Sequence, residues 1–414
     1  MEQLFNFNLE KINNLSEENF LDRKKFLKLF LETGLPNKKD ESWKFTDLNQ
    51  IIRKNFKTIT NNQNYISEKK IELIDDFEHN HIFLVNGFFK SSDMKFEETG
   101  KVKITSLDSI KDFENKFDNN LFSLNKALSI GGFYLEVQKN YKFEKPLIIY
   151  NYFTSNLENK IINNSNKIKL NENSELTIIE YNIGEKNKFL KNTFEEINLK
   201  EGSLLKNIAF QKNKFNGYFY KNINGSIEYN SSYESYILSS GLKFNKFDIN
   251  IDLNGENSNC FILSGLFLDE GEHQEIRTKI NHLVPNCKSF QKIKNVLENN
   301  SKGVYQGKIY VKDIAQKTNA YQLSKALILN DDAEFNAKPE LEIYADDVKC
   351  SHGSTSGSID EEAIHYLMTR GIEFSKAKKL LIKGFLNEIF ENIREPKIKK
   401  FLEKNTEIQV DGIQ

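Results

Sequence analysis

Near the start of the chain, apolar residues return every three or four positions. Within NFLDRKKFLKLFLETGL, Phe20, Leu21, Phe26, Leu27, Phe30 and Leu31 share one side of a helix. Gly34 and Pro36 stop it, and the helical pattern extends to about Leu73. HIFLVNGFF, residues 81–89, is an apolar run of strand length, followed by mixed sequence to about Leu135. From about Phe143 to Lys349 the period shortens to strand alternation, as in LTIIEY. Three of the polar turns between these runs resemble one another: LNENSEL at 170–176, LKEGSLL at 199–205 and LNDDAEF at 329–335. Strand-turn-strand units that recur without intervening helices predict a stacked β-solenoid, with an antiparallel sandwich as the alternative. GKIYVKDIAQKTNAYQLSKALIL favours the solenoid, because only polar corners separate its strands.

Past Ser358 the helical period returns. Ser358 with Glu361 matches a capping box, Ala363, Ile364, Leu367 and Met368 form an apolar face, and Gly371 stands where a left-handed residue ends a helix. A second helix over about 376–393 carries Leu380, Leu381, Phe385, Ile389 and Phe390 and is broken by Pro396. A short third helix holds Phe401 and Leu402. The expected organisation is a helical and mixed region at 1–135, a β core at 136–357 and a helical domain at 358–414.

Composition narrows the function more than the fold. Lys plus Arg number 58 against 59 Asp plus Glu, so the overall field favours neither nucleic acid nor a membrane surface. No signal-peptide core and no apolar run of spanning length is present, which predicts a soluble, cytoplasmic protein. Three scattered cysteines, Cys260, Cys287 and Cys350, with no CxxC, suit a reducing compartment. The abundance of Lys, Asn, Ile and Phe reads as codon bias and carries no function. No GxxxxGK[ST], GxGxxG, HExxH or GxSxG occurs, which excludes the familiar nucleotide-binding and hydrolase motifs.

One stretch, ADDVKCSHG, carries chemistry. In a strand, residues i and i+2 share a face roughly 6.5 to 7 Å apart, so Cys350 and His352 form a soft pair suited to zinc, copper(I), iron or iron–sulfur species. Tetrahedral coordination needs about four ligands. The neighbouring Asp346 and Asp347 are hard donors, so completion would require the distant His273 or His282, or another subunit. Packing is the competing reading for Cys350, as it is for Cys260 and for Cys287, which could approach His282. His365 reads as the edge of a core, and His79 with His81 forms a second same-face pair.

The residues from about 285 to 372 resemble the SufB/SufD family of iron–sulfur cluster assembly proteins. The likeness rests on GKIYVKDIAQKTNAYQ (307–322), KPELEIYADDVKCSHG (338–353) and IDEEAIHYLMTRGI (359–372), with ESWKFTDL (41–48) resembling the N-terminal signature of the SufD branch. The cysteine-rich N-terminal motif of SufB-type members is missing. The resemblance implies a mainly β fold, a right-handed parallel β-helix flanked by helices, and a non-catalytic scaffold. It implies pairing with SufB through the β-helix, or with itself when SufB is absent. Further implications are a transient cluster shared with SufB at His352 and Cys350 and no cofactor of its own. The ATPase SufC would dock on the C-terminal helices around Ile364, Arg370, Gly371, Ile372, Ala377, Leu381 and Phe385. Asn295 and Asn319 depart from the family pattern and the surroundings of His273 match it loosely, so no role is carried over to His273 or His282. Two rival readings are a thiol enzyme using Cys350 with His352 as base, and a carbohydrate-active β-helix with clustered carboxylates.

Overall fold

Ten-residue runs of alternating burial make strands with one face for an interior and one for a second layer. The computed structural model describes residues 9, 17–59, 73–107, 120–129, 131–211 and 216–411. Consecutive strands β13 (Phe244–Leu253) and β14 (Asn259–Leu268) lie in different sheets. Each pairs, in parallel, with the strand one turn before and one turn after it. β13 lies between β11 (Tyr218–Ile227) and β15 (His273–His282), and β14 between β12 (Ser232–Ser239) and β16 (Lys288–Leu297). The pattern continues through β17 (Lys302–Val311) and β18 (Thr318–Ile328) to β19 (Glu334–Ile343) and β20 (Val348–Gly357). The result is a parallel β-solenoid of about eight turns, two sheets facing one another across a lumen. Parallel pairing rules out the antiparallel sandwich.

The lumen is filled by stacked side chains such as Ile249, Ile251 and Leu253 from one sheet and Cys260, Ile262 and Leu266 from the other. Asparagine recurs at its corners. Asn140, Asn173, Asn230, Asn257 and Asn286 occupy one corner with φ between 52° and 62°, and Gly202 and Lys317 fill the equivalent places in the turns that lack one. Asparagine tolerates this left-handed region because its side chain bonds locally. The corners stack through backbone bonds, Asn140 N to Glu172 O at 2.7 Å and Asn173 N to Glu201 O at 2.8 Å.

Outside the lumen each sheet carries a helical layer. Phe30 of α1 (Glu17–Thr33), Ile52 of α2 (Leu48–Asn55) and Leu121, Leu124 and Leu128 of α3 (Asn120–Leu128) pack with Trp43 against Phe194, Tyr220 and Phe244 of the first sheet. On the second sheet Tyr181, Phe210, Tyr236 and Leu238 receive Ile389, Phe390, Phe401 and Leu402 from the C-terminal helices.

Several local expectations are corrected. The run at 81–89 is a hairpin: β2 (Asn80–Val85) and β3 (Phe88–Asp93) are joined by Asn86-Gly87, both with positive φ, the two-residue turn that Asn-Gly favours. The N-terminal region does not stop short of the solenoid, because β2 joins the second sheet beside β6 (Leu147–Phe153) and β4 (Val102–Ser106) joins the first beside β5 (Phe133–Val137). The helical pattern ends at α2; Thr58–Ile59 form a short strand, β1, and residues 60–72 lie outside the described ones. The cap of α4 (Glu361–Thr369) is Asp360, whose Oδ1 accepts from Ala363 N at 2.9 Å, rather than Ser358. The helix at 376–393 is α5 (Phe374–Asn387) followed by a 3-10 turn, and Pro396 opens α6 (Pro396–Asp411), a helix of 16 residues, from the first-turn position where proline costs no hydrogen bond. Met368 is exposed, so the apolar side of α4 is narrower than its spacing predicts.

Candidate functional site

The last strand of the second sheet, β20, holds the cysteine–histidine pair. Its register places Cys350 beside Ala320, His352 beside Gln322 and Ser354 beside Ser324. One strand earlier, Gln291 stands beside Gln322 and reaches across the lumen, where its Oε1 accepts from Thr278 and from Tyr305 Oη at 3.1 Å. The row Gln291, Gln322, His352 therefore faces inward, and so does Cys350 two residues away. Cys350 is half-buried against Ile309, Val311, Ala315, Ala320 and Ala345. His352 is exposed because, among the described residues, no strand lies beyond β20. The pair thus sits at the mouth of the lumen, open to anything that covers the end.

Burial pushes the Cys350 thiol above its ordinary value, and the Ala320 backbone opposes this. Unassisted, Cys350 is a thiol rather than a thiolate, which argues against a nucleophile activated within this chain. Among the described residues no three His, Cys, Asp or Glu side chains cluster closely enough to hold a metal ion. Cys350 and His352 are two ligands of an unfinished set.

The histidines named as completing ligands stand elsewhere. His273 faces outward from β15, its Nε2 3.4 Å from Thr46 Oγ1 and its ring edge-on to Phe244. His282 faces inward two turns before the mouth, with Nε2 2.8 Å from Ser289 Oγ. Burial lowers both to about 4. Cys260 is sealed in the lumen, where burial drives its thiol far up, and Cys287 is a corner thiol 3.3 Å from Ser258 Oγ. His79 lies between Phe77 O at 3.0 Å and Tyr150 Oη at 3.0 Å; the Tyr150 hydroxyl, which already accepts from Ile74 N, donates to Nε2, so Nδ1 carries the proton. Its neighbour His81 lies in the same aromatic cluster, edge-on to Phe83. His365 is exposed on α4, and Asp346 and Asp347 form an exposed corner closed by Lys317 N to Asp347 O at 2.6 Å.

The C-terminal residues named for partner contact divide in two. Ile364 and Ala377 are buried in the chain's own packing, Leu381 and Phe385 are half-buried, and Lys294 Nζ donates to Phe385 O at 2.7 Å while lying 4.3 Å from the centre of its ring. Arg370 and Gly371 are exposed, with Ile372 half-buried beside them. Gly371 has φ 84°, as the end of a helix requires, and Arg370 stacks on Tyr366 at 5.3 Å. The apolar surface there is made by Tyr366, Met368, Phe374 and Leu380. None of these four was singled out for partner contact from the sequence, because helical spacing cannot tell an inner apolar stripe from an outer one.

Sequence reasoning also missed the polar residues inside the lumen. Glu180, Glu195 and Lys221 meet there in mid-solenoid, Lys221 Nζ bonding Glu180 and lying 3.0 Å from Glu195 Oε2. A polar residue at an inward parity is visible only after the register is known.

Comparison with known proteins finds two matching family models. The SufBD core domain of the SUF system for FeS cluster assembly matches residues 152–385, and the SufBD protein N-terminal region matches residues 1–149. The chain is 27% identical over 382 residues to the iron-sulfur cluster assembly protein SufD of Escherichia coli, spanning 90% of this chain and 89% of that protein. It is 26% identical to the chloroplastic protein ABCI7 of Arabidopsis thaliana, over 89% of this chain and 81% of the relative. A SufBD family protein of Synechocystis is 23% identical over 87% of this chain and 84% of its own length.

Proposed function

The chain belongs to the SufBD family of iron–sulfur cluster assembly proteins, and from that premise we propose that it is a non-catalytic scaffold. In this reading it pairs through the open end of its solenoid with a SufB-type partner and offers His352, accompanied by Cys350, to a nascent cluster. The cluster is cargo, and the partner supplies the remaining ligands. A SufC-type ATPase docks on the C-terminal helices through the exposed side of α4 and the start of α5, where Tyr366, Met368, Arg370 and Phe374 stand. The absence of a phosphate loop fits an energy source in a partner.

The observation that carries the reading is the place of the pair. An exposed imidazole and a half-buried thiol line the inward row of the terminal strand, at an end where no strand among the described residues lies beyond them. Imidazole and thiolate are ligands that iron and iron–sulfur species accept, and a proton must leave Cys350 on binding because burial holds it as the thiol.

His352→Ala tests this directly. The chain is expected to co-purify with its SufB-type and SufC-type partners at unchanged stoichiometry, while iron and acid-labile sulfide per complex fall severalfold. Unchanged iron and sulfide would remove His352 from the site. The rival enzymes fare worse against the structure. The thiol enzyme lacks an activated thiolate. For the carbohydrate-active reading, the carboxylates on the outer face of the terminal turns are paired with lysines, Glu334 with Lys302 at 3.2 Å and Glu340 with Lys338 at 2.8 Å, rather than with one another.

A further inference from the structure

Gln322 ends the motif GKIYVKDIAQKTNAYQ and stands in the inward row beside His352. It is 2% exposed, and neither Oε1 nor Nε2 of its side chain has a hydrogen-bond partner. Buried amides are rarely left so. Three neighbours set the direction of this side chain. Gln291, one strand back in the row, uses its Oε1 on Thr278 and Tyr305. Gly307, across the lumen, makes the room: a Cβ there would stand 2.1 Å from Tyr305 Oη and 3.1 Å from Gln322 Cδ. The third neighbour is β20. Of its inward side chains, Ser354 is already bonded to Ser324 Oγ at 2.9 Å, and Cys350 packs against apolar residues. Two groups remain beside Gln322 in register, each one strand spacing away: Gln291 Nε2, which has no partner of its own, and His352; the two lone pairs of Gln322 Oε1 can serve both.

We propose that Gln322 is a positioning residue for His352: its side-chain Oε1 accepts from one imidazole N–H and leaves the other ring nitrogen free at the mouth of the lumen. A ligating histidine is commonly oriented in this way, through a hydrogen bond on the nitrogen that the metal does not use. The inference rests on the reading of His352 as a ligand for its purpose. The hydrogen bond itself does not, and it can be measured without a cluster.

The experiment uses the full chain labelled with ¹⁵N at histidine, its imidazole signals recorded at a pH where His352 is neutral and assigned through His352→Gln. In the unmodified chain one tautomer of His352 is expected to dominate. Gln322→Met, close in shape but unable to bond, is expected to return the tautomer ratio to that of a free imidazole. Gln322→Glu, which keeps an acceptor, is expected to preserve the bias. A Gln322→Met chain that stays folded with His352 signals unchanged overturns the proposal, as does a Gln322→Glu chain that loses the bias. If Gln322→Met shifts the tautomer while iron and sulfide in the partnered complex stay constant, the hydrogen bond stands and the ligand reading of His352 falls.

Discussion

At the N-terminal end of the solenoid, β3 and β4 run antiparallel to their neighbours and occupy the outermost edges of the two sheets. At the other end β19 and β20 keep their outer edges free among the described residues. The lumen between changes in the same direction. In mid-solenoid, charge is enclosed and answered: Lys221 is held between Glu180 and Glu195, and Asn166 Nδ2 donates to Glu195 at 3.2 Å. Burial pushes Glu195 up, whereas at Glu180 the lysine outweighs burial and holds the carboxyl below its ordinary range. At the mouth, His352 stands exposed on an inward row. The difference teaches where this chain is complete. A closed polar interior belongs to folding; an open one is an offer to another molecule. Open edges of this kind are a hazard unless something covers them, and among the described residues both ends have them, β3 and β4 at one and β19 and β20 at the other.

Breaking the enclosed network should have the largest effect. Lys221→Met leaves two buried carboxylates without their cation and is expected to cost roughly 3–5 kcal/mol, read as a lower urea midpoint, with partial recovery when Glu180→Gln is added. His352→Ala, by contrast, should leave that midpoint unchanged, because an exposed side chain at the mouth carries little of the fold.

Acid should act next, and through the closed parts of the molecule. His273 and His282 titrate near 4 in the folded chain and near 6.5 when unfolded. The unfolded state binds the extra protons, so stability is complete above pH 6.5 and declines as pH falls toward 4, by about 3 kcal/mol at most for each. Glu272, pushed up to about 7 by burial, works the other way, its contribution being present at acid pH and lost as pH rises through 7. His282→Gln should flatten the decline in urea midpoint between pH 6.5 and 4, and Glu272→Gln should steepen it. An unaltered slope in both would show that neither group differs between the folded and unfolded states.

The smallest effect belongs to the corners. Asn257 has φ 59°. Asn257→Ala should lower stability by about 1 kcal/mol, while Asn257→Gly, which takes this conformation freely, should leave it within a few tenths. Equal losses in the two variants would mean that the side-chain bonds of asparagine, and not its backbone tolerance, hold the corner.

The alternation that made strands, the polar spacers that made corners and the helical period of α1 and α5 were legible along the chain, because each depends on neighbours a few residues away, but Leu21, Leu31 and Leu380 of the expected stripes are exposed. So was the shared face of Cys350 and His352, which follows from the two-residue period of one strand. The hairpin at Asn86-Gly87 was legible too and was overlooked in favour of its apolar flanks. The motif ESWKFTDL was recognisable but mute. Only the fold shows that Trp43 lies 4.7 Å from Lys246 Nζ and that Thr46 Oγ1 donates to Glu275 at 2.7 Å, so that this segment straps the N-terminal layer to the outer face of the first sheet.

By itself the sequence determined the periodicities, and with them the elements and the side on which each residue stands relative to its neighbours. The tertiary structure alone decided which rows stack, since residues that meet across a turn, such as Asp248 and Arg277, are 29 apart with two corners and a strand of the other sheet between them. It also decided that His352 ends its row in the open while His282 is enclosed two turns earlier. Both are imidazoles on inward positions of similar strands, and what separates them is how many layers of chain the solenoid winds past each before it stops.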